Sequence, residues 1–403
     1  MSYRIQPITK DNLKEYTRIQ QRAYAGVFSG TPEEFEKLIK VYAGLLLGDD
    51  CFLFGVYHKD TMIGCYMTYD FTLNFHGNPV RASGIGSVAV DLIHKKEGVA
   101  KFLIKEWLSG SLEEGNLFCT LYPFNARFYK NFGFGYGSPL DVYQIPPTHF
   151  KDRGDKSLLS WGSLDSLEGI IECYQSYHVD THGMKSRTFS DLDRITRQKH
   201  LKLIEVKQEG TVTGYMLFEQ KGTNPDNFLN QKLIVSEMIT TTPESRMALS
   251  SFLHSQADQI DYVELHTFDP YYYHMLDDLT FKSDPRVMQL ISHKTANHAV
   301  GIMWHALDPR ELMNLVSDRT DKGLDFFIKD ERTGLIDAVS INTHVPERIE
   351  LNMTRSTFSS WIIGSLPLNS AYQLGELKTN QHHTLKSLDK DFDFESPICH
   401  TRF

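Results

Sequence analysis

The period of the apolar positions changes several times along this chain, and each change marks an element. "YRIQPIT" (3–9) alternates as a half-buried strand does, and "KDNLKEYTRIQQRAY" (10–24) carries its apolar residues near helical spacing. "CFLFGVYHKD" and "TMIGCYMTYDF" predict two antiparallel strands joined near Asp60. The β-rich run "IGSVAVDL" comes next. It is followed by "HKKEGVAKFLIKEWLSGSL", where Val99, Phe102, Leu103 and Trp107 form one helical stripe, and by the short buried strand "NLFCTL". Residues 137–157, "GSPLDVYQIPPTHFKDRGDKS", mix Pro, Gly and charge and read as a linker.

A second region repeats the order. "SLDSLEGIIECYQSY" predicts a helix, "KLIEVKQEGTVTGYMLFEQ" a hairpin turning at Glu209-Gly210, and "KLIVSEMITT" a strand. The helix "PESRMALSSFLHSQADQ" and the strand "YVELHTF" complete it. Hairpin, strand, helix, strand recur at a spacing near 150 residues, the pattern of an internal duplication. From about residue 293 the character changes. "ALDPRELMNLVSDRT" predicts a helix, "GLDFFIKDE" and "RIELNMT" strands, and "RSTFSSWIIGSL" a helix closed by Gly364. The final "DKDFDFESPICHTRF" shows no helical period and finishes on Phe403.

A chain of 403 residues exceeds one ordinary core. Its hydrophobic fraction of 41% and charged fraction of 23% are those of a soluble globular protein. Forty-two Lys plus Arg against fifty-one Asp plus Glu give a net charge of −9, which argues against nucleic acid or an anionic membrane as partner and suits a cationic substrate. "MSYRIQPITK" lacks the features of a signal peptide, and no apolar run approaches the ~18 residues of a membrane span, so the expected compartment is the cytoplasm. The five cysteines lie far apart without a CxxC, so neither a metal site nor a disulfide framework is expected. Cys51, Cys65 and Cys119 stand in apolar runs and read as reduced core residues.

Chemistry concentrates in "SVAVDLIHKKEGVAKFL", a strand running into a loop that opens a helix at Lys96-Glu97-Gly98. Free backbone N–H groups at a helix start, with the macrodipole behind them, form a ready phosphate site. Gly98 and the small Ala100 leave room for a diphosphate; ordinary helix initiation is the competing explanation. About thirty residues on stands "NARFYKNFGFGYG", with Tyr129 ahead of Gly133, Gly135 and Gly137. These two segments together resemble the acetyl-CoA site of the GNAT (GCN5-related N-acetyltransferase) superfamily. Lys95-Lys96-Glu97-Gly98-Val99-Ala100 is similar to that family's Gln/Arg-x-x-Gly-x-Gly/Ala loop, with Lys95 replacing the usual Gln or Arg. Tyr129-Lys130-Asn131-Phe132-Gly133-Phe134 resembles its Tyr-x-x-x-Gly-Phe segment. Length and layout resemble the Eis (enhanced intracellular survival) family more narrowly.

The resemblance implies a mixed α/β (α+β) chain of three parts. Residues 1–145 would be an active GNAT domain and 146–292 a second, degenerate one, since "ITTTPESRMALSSF" has no glycine where a coenzyme loop would be. Residues 293–403 would be a sterol-carrier-protein-like α/β domain. It implies acetyl-CoA as donor, held by the loop, by the main chain of Val88, Ala89 and Val90, and by Asn125. Tyr129 would be the general acid toward the leaving thiolate, or a core tyrosine among Phe128, Phe132 and Phe134. Gly133 and Gly135 would permit a sharp turn beside the cofactor. The terminal carboxylate, here Phe403, would be the general base, or simply a frayed tail. Asp91 and His94 are expected to point at cofactor or solvent rather than act as base. Glu33, Glu34, Asp49 and Asp50 either attract a polyamine or aminoglycoside or form a solvated face. The implied activity is acetyl transfer to a primary amine of a small polycation or a lysine side chain, in a homo-oligomer, hexameric in the family. A lipid- or acyl-chain-binding protein that binds CoA without catalysis is the alternative, with "FFIKDERTGLIDAV" and "FSSWIIGSL" lining its cavity or else serving as core. An assembly protein is the third.

Overall fold

The computed structural model describes residues 2–48, 51–163, 167–188, 191, 200–227, 229–280 and 293–400. These fold as two compact units. The first combines residues 1–137 with 302–397, and the second combines 138–301 with 398–400.

In the first unit β1 (Tyr3–Pro7) leads through α1 (Leu13–Ala23) and α2 (Pro32–Leu45) to the antiparallel strands β2 (Cys51–His58), β3 (Thr61–Phe75) and β4 (Asn78–Val90). Then follow α3 (Val99–Glu113), β5 (Phe118–Leu121), α4 (Ala126–Lys130) and β6 (Gly135–Tyr136). The predicted turn at Asp60 is present, with Lys59 at φ 55°. β4 begins earlier than the run "IGSVAVDL" implies, because His76 and Gly77, both at positive φ, turn β3 straight back into it. α3 buries Val99, Leu103, Ile104 and Trp107 on one stripe, as its spacing predicts.

The second unit contains β7 (Pro139–Ile145), β8 (Leu159–Trp161), α5 (Leu167–Asp180), β9 (Lys202–Gln208), β10 (Thr211–Gly222), β11 (Gln231–Thr240), α6 (Pro243–His254), β12 (Tyr262–Thr267) and β13 (Ala296–Val300). Its sheet runs β8-β9-β10-β11-β12-β7-β13. The first sheet runs β1-β2-β3-β4-β5-β14-β6, where β14 is Met303–Ala306. The two orders correspond strand for strand, and in each only the fourth and fifth strands are parallel. The duplication is therefore structural.

One feature departs from the expected boundaries. β7 follows β6 in sequence, yet it fills the sixth place of the second sheet, between β12 and β13. β14 follows β13, yet it fills the sixth place of the first sheet, between β5 and β6. The second sheet thus draws β7 to β13 from one continuous stretch of chain, and the first reaches past that stretch for β14. The segment read as a linker, 137–157, holds β7, and its Tyr143 and Ile145 are fully buried. The breaks fall at 137/138 and 301/302 rather than at 145/146 and 292/293.

The rest of the first unit comprises α7 (Pro309–Val316), β15 (Gly323–Lys329), β16 (Ile336–Ile341), β17 (Arg348–Thr354), α8 (Arg355–Ile362), α9 (Leu368–Gln373), β18 (Leu377–Thr379) and α10 (Leu385–Phe392). The four strands form a sheet of order β16-β15-β17-β18. Phe326, Phe358 and Trp361 pack against one another at 5.1–6.0 Å between centroids and are buried, so these aromatics fill a core. Among the described residues no helix is long and apolar enough to cross a membrane.

Candidate active site

The site begins at an irregularity in β4. Against β3 the register runs Gly64↔Val90 and Cys65↔Ala89, then resumes at Met67↔Gly86. Ser87 and Val88 together face Tyr66, a β-bulge, with Ser87 at φ 50°. Against β5 the parallel pairing covers Ala82–Ile85 and stops. Beyond it, Gly86 to Val90 have no strand partner on that side among the described residues, and the strands part around a cleft of about 590 Å³. Val88, Ala89 and Val90 all line it.

At one end of the cleft the loop after β4 enters α3 through Lys96 at φ 66° and Gly98 at φ 91°. Gly98 is the N-cap, without a side-chain capping bond, and the first intrahelical bond runs from the Phe102 N–H to the Gly98 carbonyl at 2.9 Å. The N–H groups of Val99, Ala100 and Lys101 are left for a ligand, reinforced by the helix dipole. A Cβ at Gly98 would meet nothing within 4 Å, so the glycine answers the backbone conformation and not a lack of room. Lys95, Lys96 and Lys101 line this end, and no Asp or Glu is among the described lining residues. Such a cradle fits a diphosphate.

Two acidic residues beside the loop, and one on α2, are engaged elsewhere. Glu97 does not line the cleft: its carboxylate meets His94 Nδ1 at 3.0 Å, and its carbonyl accepts from the Tyr3 hydroxyl at 2.9 Å. Asp91 points neither at solvent nor into the cleft. It is buried, paired with Arg22 at 3.1 Å, and accepts from the Ile93 N–H at 3.4 Å. Glu34 is also engaged, by the Ser29 and Gly30 N–H groups and Gln21, and these bonds hold its carboxyl below the usual range. Asp49, Asp50 and Phe403 lie outside the described residues.

The opposite wall carries Tyr129. Asn125 lines the cleft and caps α4, its Oδ1 accepting from the Phe128 N–H at 3.1 Å. Tyr129 is 7% exposed, edge-on to Phe128 at 5.1 Å and Phe134 at 6.0 Å, and it also lines the cleft. Core residue and cleft residue are therefore one and the same here. Burial raises its phenol above the usual value, so it stays protonated at neutral pH. Tyr24, which the sequence pattern did not single out, lines the cleft too. Its hydroxyl donates to the Val88 carbonyl at 2.8 Å, and burial, with a smaller contribution from Tyr129, pushes its pKa up to about 12.

The glycines behind Tyr129 serve a different purpose from a turn beside a cofactor. Gly133, at φ 85°, does turn the chain, but a Cβ there would sit 2.4 Å from Arg355 Cγ. A Cβ at Gly135 would sit 2.4 Å from the Ser356 carbonyl oxygen and 2.5 Å from Ser360 N. α8 and β14 press onto this main chain, and Ser359 and Ser360 of α8 donate to the carbonyls of Gly133 and Tyr136, each at 3.0 Å.

In the second unit the helix at the place of α3 is α6. Pro243 at its first position lacks an N–H, and Thr242 and Ser245 form a capping box over the next donors.

Residues 4–137 match an acetyltransferase (GNAT) domain, and residues 183–295 match another acetyltransferase (GNAT) domain. No curated protein sequence matches the chain. Among solved structures, a GCN5-related N-acetyltransferase from Anabaena variabilis ATCC 29413 superposes with TM-score 0.79 at 17% identity. A conserved protein of unknown function from Enterococcus faecalis V583, a probable N-acyltransferase, gives 0.76 at 16%, and Eis1 from Mycobacterium abscessus gives 0.74 at 16%. Each alignment covers 100% of this chain and 100% of the other. The chain thus belongs to the GNAT acetyltransferases, with two GNAT domains and a C-terminal α/β part in an Eis-like architecture.

Proposed function

We propose that the protein is an acetyl-CoA-dependent N-acetyltransferase that modifies a primary amine of a small polycation, aminoglycoside- or polyamine-like, or of a lysine side chain, by direct attack in a ternary complex. One observation supports this above the others: an unpaired β4 edge, an uncapped helix start and a protonated Tyr129 line a single cleft. Acetyl-CoA, when bound, supplies an acetyl group activated as a thioester. Val99, Ala100 and Lys101 N–H groups would hold its diphosphate, with Lys95 and Lys96 adding charge. Main-chain donors of Val88 and Val90 would align the acyl arm and stabilise the oxyanion.

The amine nitrogen forms its bond to the acetyl carbon as the carbon–sulfur bond breaks. Tyr129 gives its proton to the departing sulfur. The proton lost by the amine goes to a base that the described cleft residues do not supply as a carboxylate. We assign that base to a terminal carboxylate, Phe403 in this sequence, following the resemblance to the Eis family, which also suggests a homo-oligomer, hexameric in that family. The closed start of α6 supports one coenzyme per chain, bound by the first domain alone.

An amine panel read by product mass, with release of free CoA thiol, tests the proposal. Tyr129→Phe should lower kcat by roughly 10²–10⁴-fold while leaving coenzyme affinity unchanged. Coenzyme binding without product across the panel would refute transfer.

A further inference from the structure

α1 directs two side chains one helical turn apart at the β4 bulge. Gln20, 1% exposed, donates from Nε2 to the Ser87 carbonyl at 2.7 Å. Tyr24, just past the end of α1, donates to the Val88 carbonyl at 2.8 Å. The Gln20 amide is itself held between Cys65 Sγ at 3.3 Å and the Tyr16 hydroxyl at 3.4 Å. So both carbonyls of the bulge are tied to one rigid element.

A peptide unit is planar and trans, so a carbonyl and the following N–H point in opposite directions. Holding the Ser87 carbonyl toward Gln20 turns the Val88 N–H away from α1. Val88 lies past the last β4–β5 pair and lines the cleft. Ser87 sits at φ 50°, a conformation a non-glycine residue keeps only where its surroundings enforce it.

Resting on the acetyltransferase function proposed above, we infer that Gln20 and Tyr24 are positioning residues that lock the Ser87–Val88 bulge so that the Val88 N–H meets the thioester carbonyl as negative charge develops. Neither residue moves a proton. Their effect is preorganisation: the donor is in place before the reaction and needs no rearrangement during it.

The test pairs kinetics with isotope-edited infrared spectroscopy of bound [1-¹³C]acetyl-CoA, using Tyr24→Phe and the near-isosteric Gln20→Met. The wild type should shift the carbonyl stretch to lower frequency, and each variant should return it toward its free-solution position. kcat should fall roughly 10- to 100-fold, less than the 10²–10³ that follows outright removal of an oxyanion donor. Affinity for CoA, which has no acetyl carbonyl, should not change, and each variant should still unfold cooperatively, at a melting temperature lowered by the loss of its hydrogen bond. Should Tyr24→Phe fail to fold, Gln20→Met carries the same readout. A folded, coenzyme-binding variant with the wild-type band overturns the inference, as does a wild type whose bound carbonyl absorbs at the free position while turnover proceeds. A wild type that binds no acetyl-CoA overturns the proposed function as well.

Discussion

Gly135→Ala isolates what the C-terminal part contributes to the first domain. Gly135 does not have a positive φ, so alanine is not excluded by backbone conformation, and the added methyl acts through its volume alone. It would lie 2.4 Å from both the Ser356 carbonyl oxygen and Ser360 Oγ, and 2.5 Å from Ser360 N. Two of these three are backbone atoms of α8, so no side-chain rotation relieves the overlap. The helix has to retreat by about 1 Å to restore van der Waals contact. All eight residues of α8 are buried, and its hydroxyls bond to main chain on both sides: Ser359 and Ser360 to Gly133 and Tyr136, and the Ala306 N–H to Ser359. Overpacking costs about 1–3 kcal/mol. Two hydrogen bonds lost at about 1 kcal/mol each bring the total to roughly 3–5 kcal/mol. For a unit of this size that corresponds to a fall of roughly 6–15 °C in melting temperature. Calorimetry and urea titration would measure it, with Gly44→Ala, whose methyl meets open space at a φ that is not positive, as the control. A Gly135→Ala protein melting within a degree or two of wild type would refute the argument that these glycines exist to admit α8.

Other outcomes follow from the same geometry. His305 is buried beside Phe134 and Arg355, and burial, then Arg355, lowers its pKa to about 3. The unfolded chain, at about 6.5, binds the proton first, so stability is full above that pH and declines as pH falls toward 3, by about 2 kcal/mol at pH 5. His305→Gln should remove this slope between pH 7 and 5, and parallel stability curves for the two proteins would count against it. A fragment of residues 1–145 lacks β14, whose Trp304 is fully buried, so it should show no cooperative unfolding by circular dichroism; a sharp transition would contradict the first sheet's dependence on β14. Extending the chain after Phe403 should abolish turnover while leaving coenzyme binding and melting unchanged, and full activity would exclude the terminus as base.

How much of this was legible in the sequence depends on the range of the interaction. The loop at 95–100 and Tyr129 could be recognised because their signals are short: a glycine at a helix start, and an aromatic ahead of a turn. Tyr24 and Gln20 could not, because nothing in "RIQQRAY" shows which strand α1 will cover. The glycines of "NFGFGYG" announced a close approach, and the sequence around them is silent about what approaches. Asp91 and Glu34 looked available because their partners, Arg22 and the amides of Ser29 and Gly30, are set by folding.

From the order of residues alone came the periods of the elements, the duplication near 150 residues, and the family likeness of the coenzyme loop. Each depends on neighbours within one or two turns of chain. Tertiary structure alone decided that β7 joins the second sheet and β14 the first, that α8 seats on bare main chain, and that a bulge held from α1 lines the cleft. A strand's alternation specifies which face is buried but not which edge it joins, since backbone hydrogen bonds are the same for every residue except proline. The choice of partner is made by side chains far away in sequence, and only the folded chain brings them together.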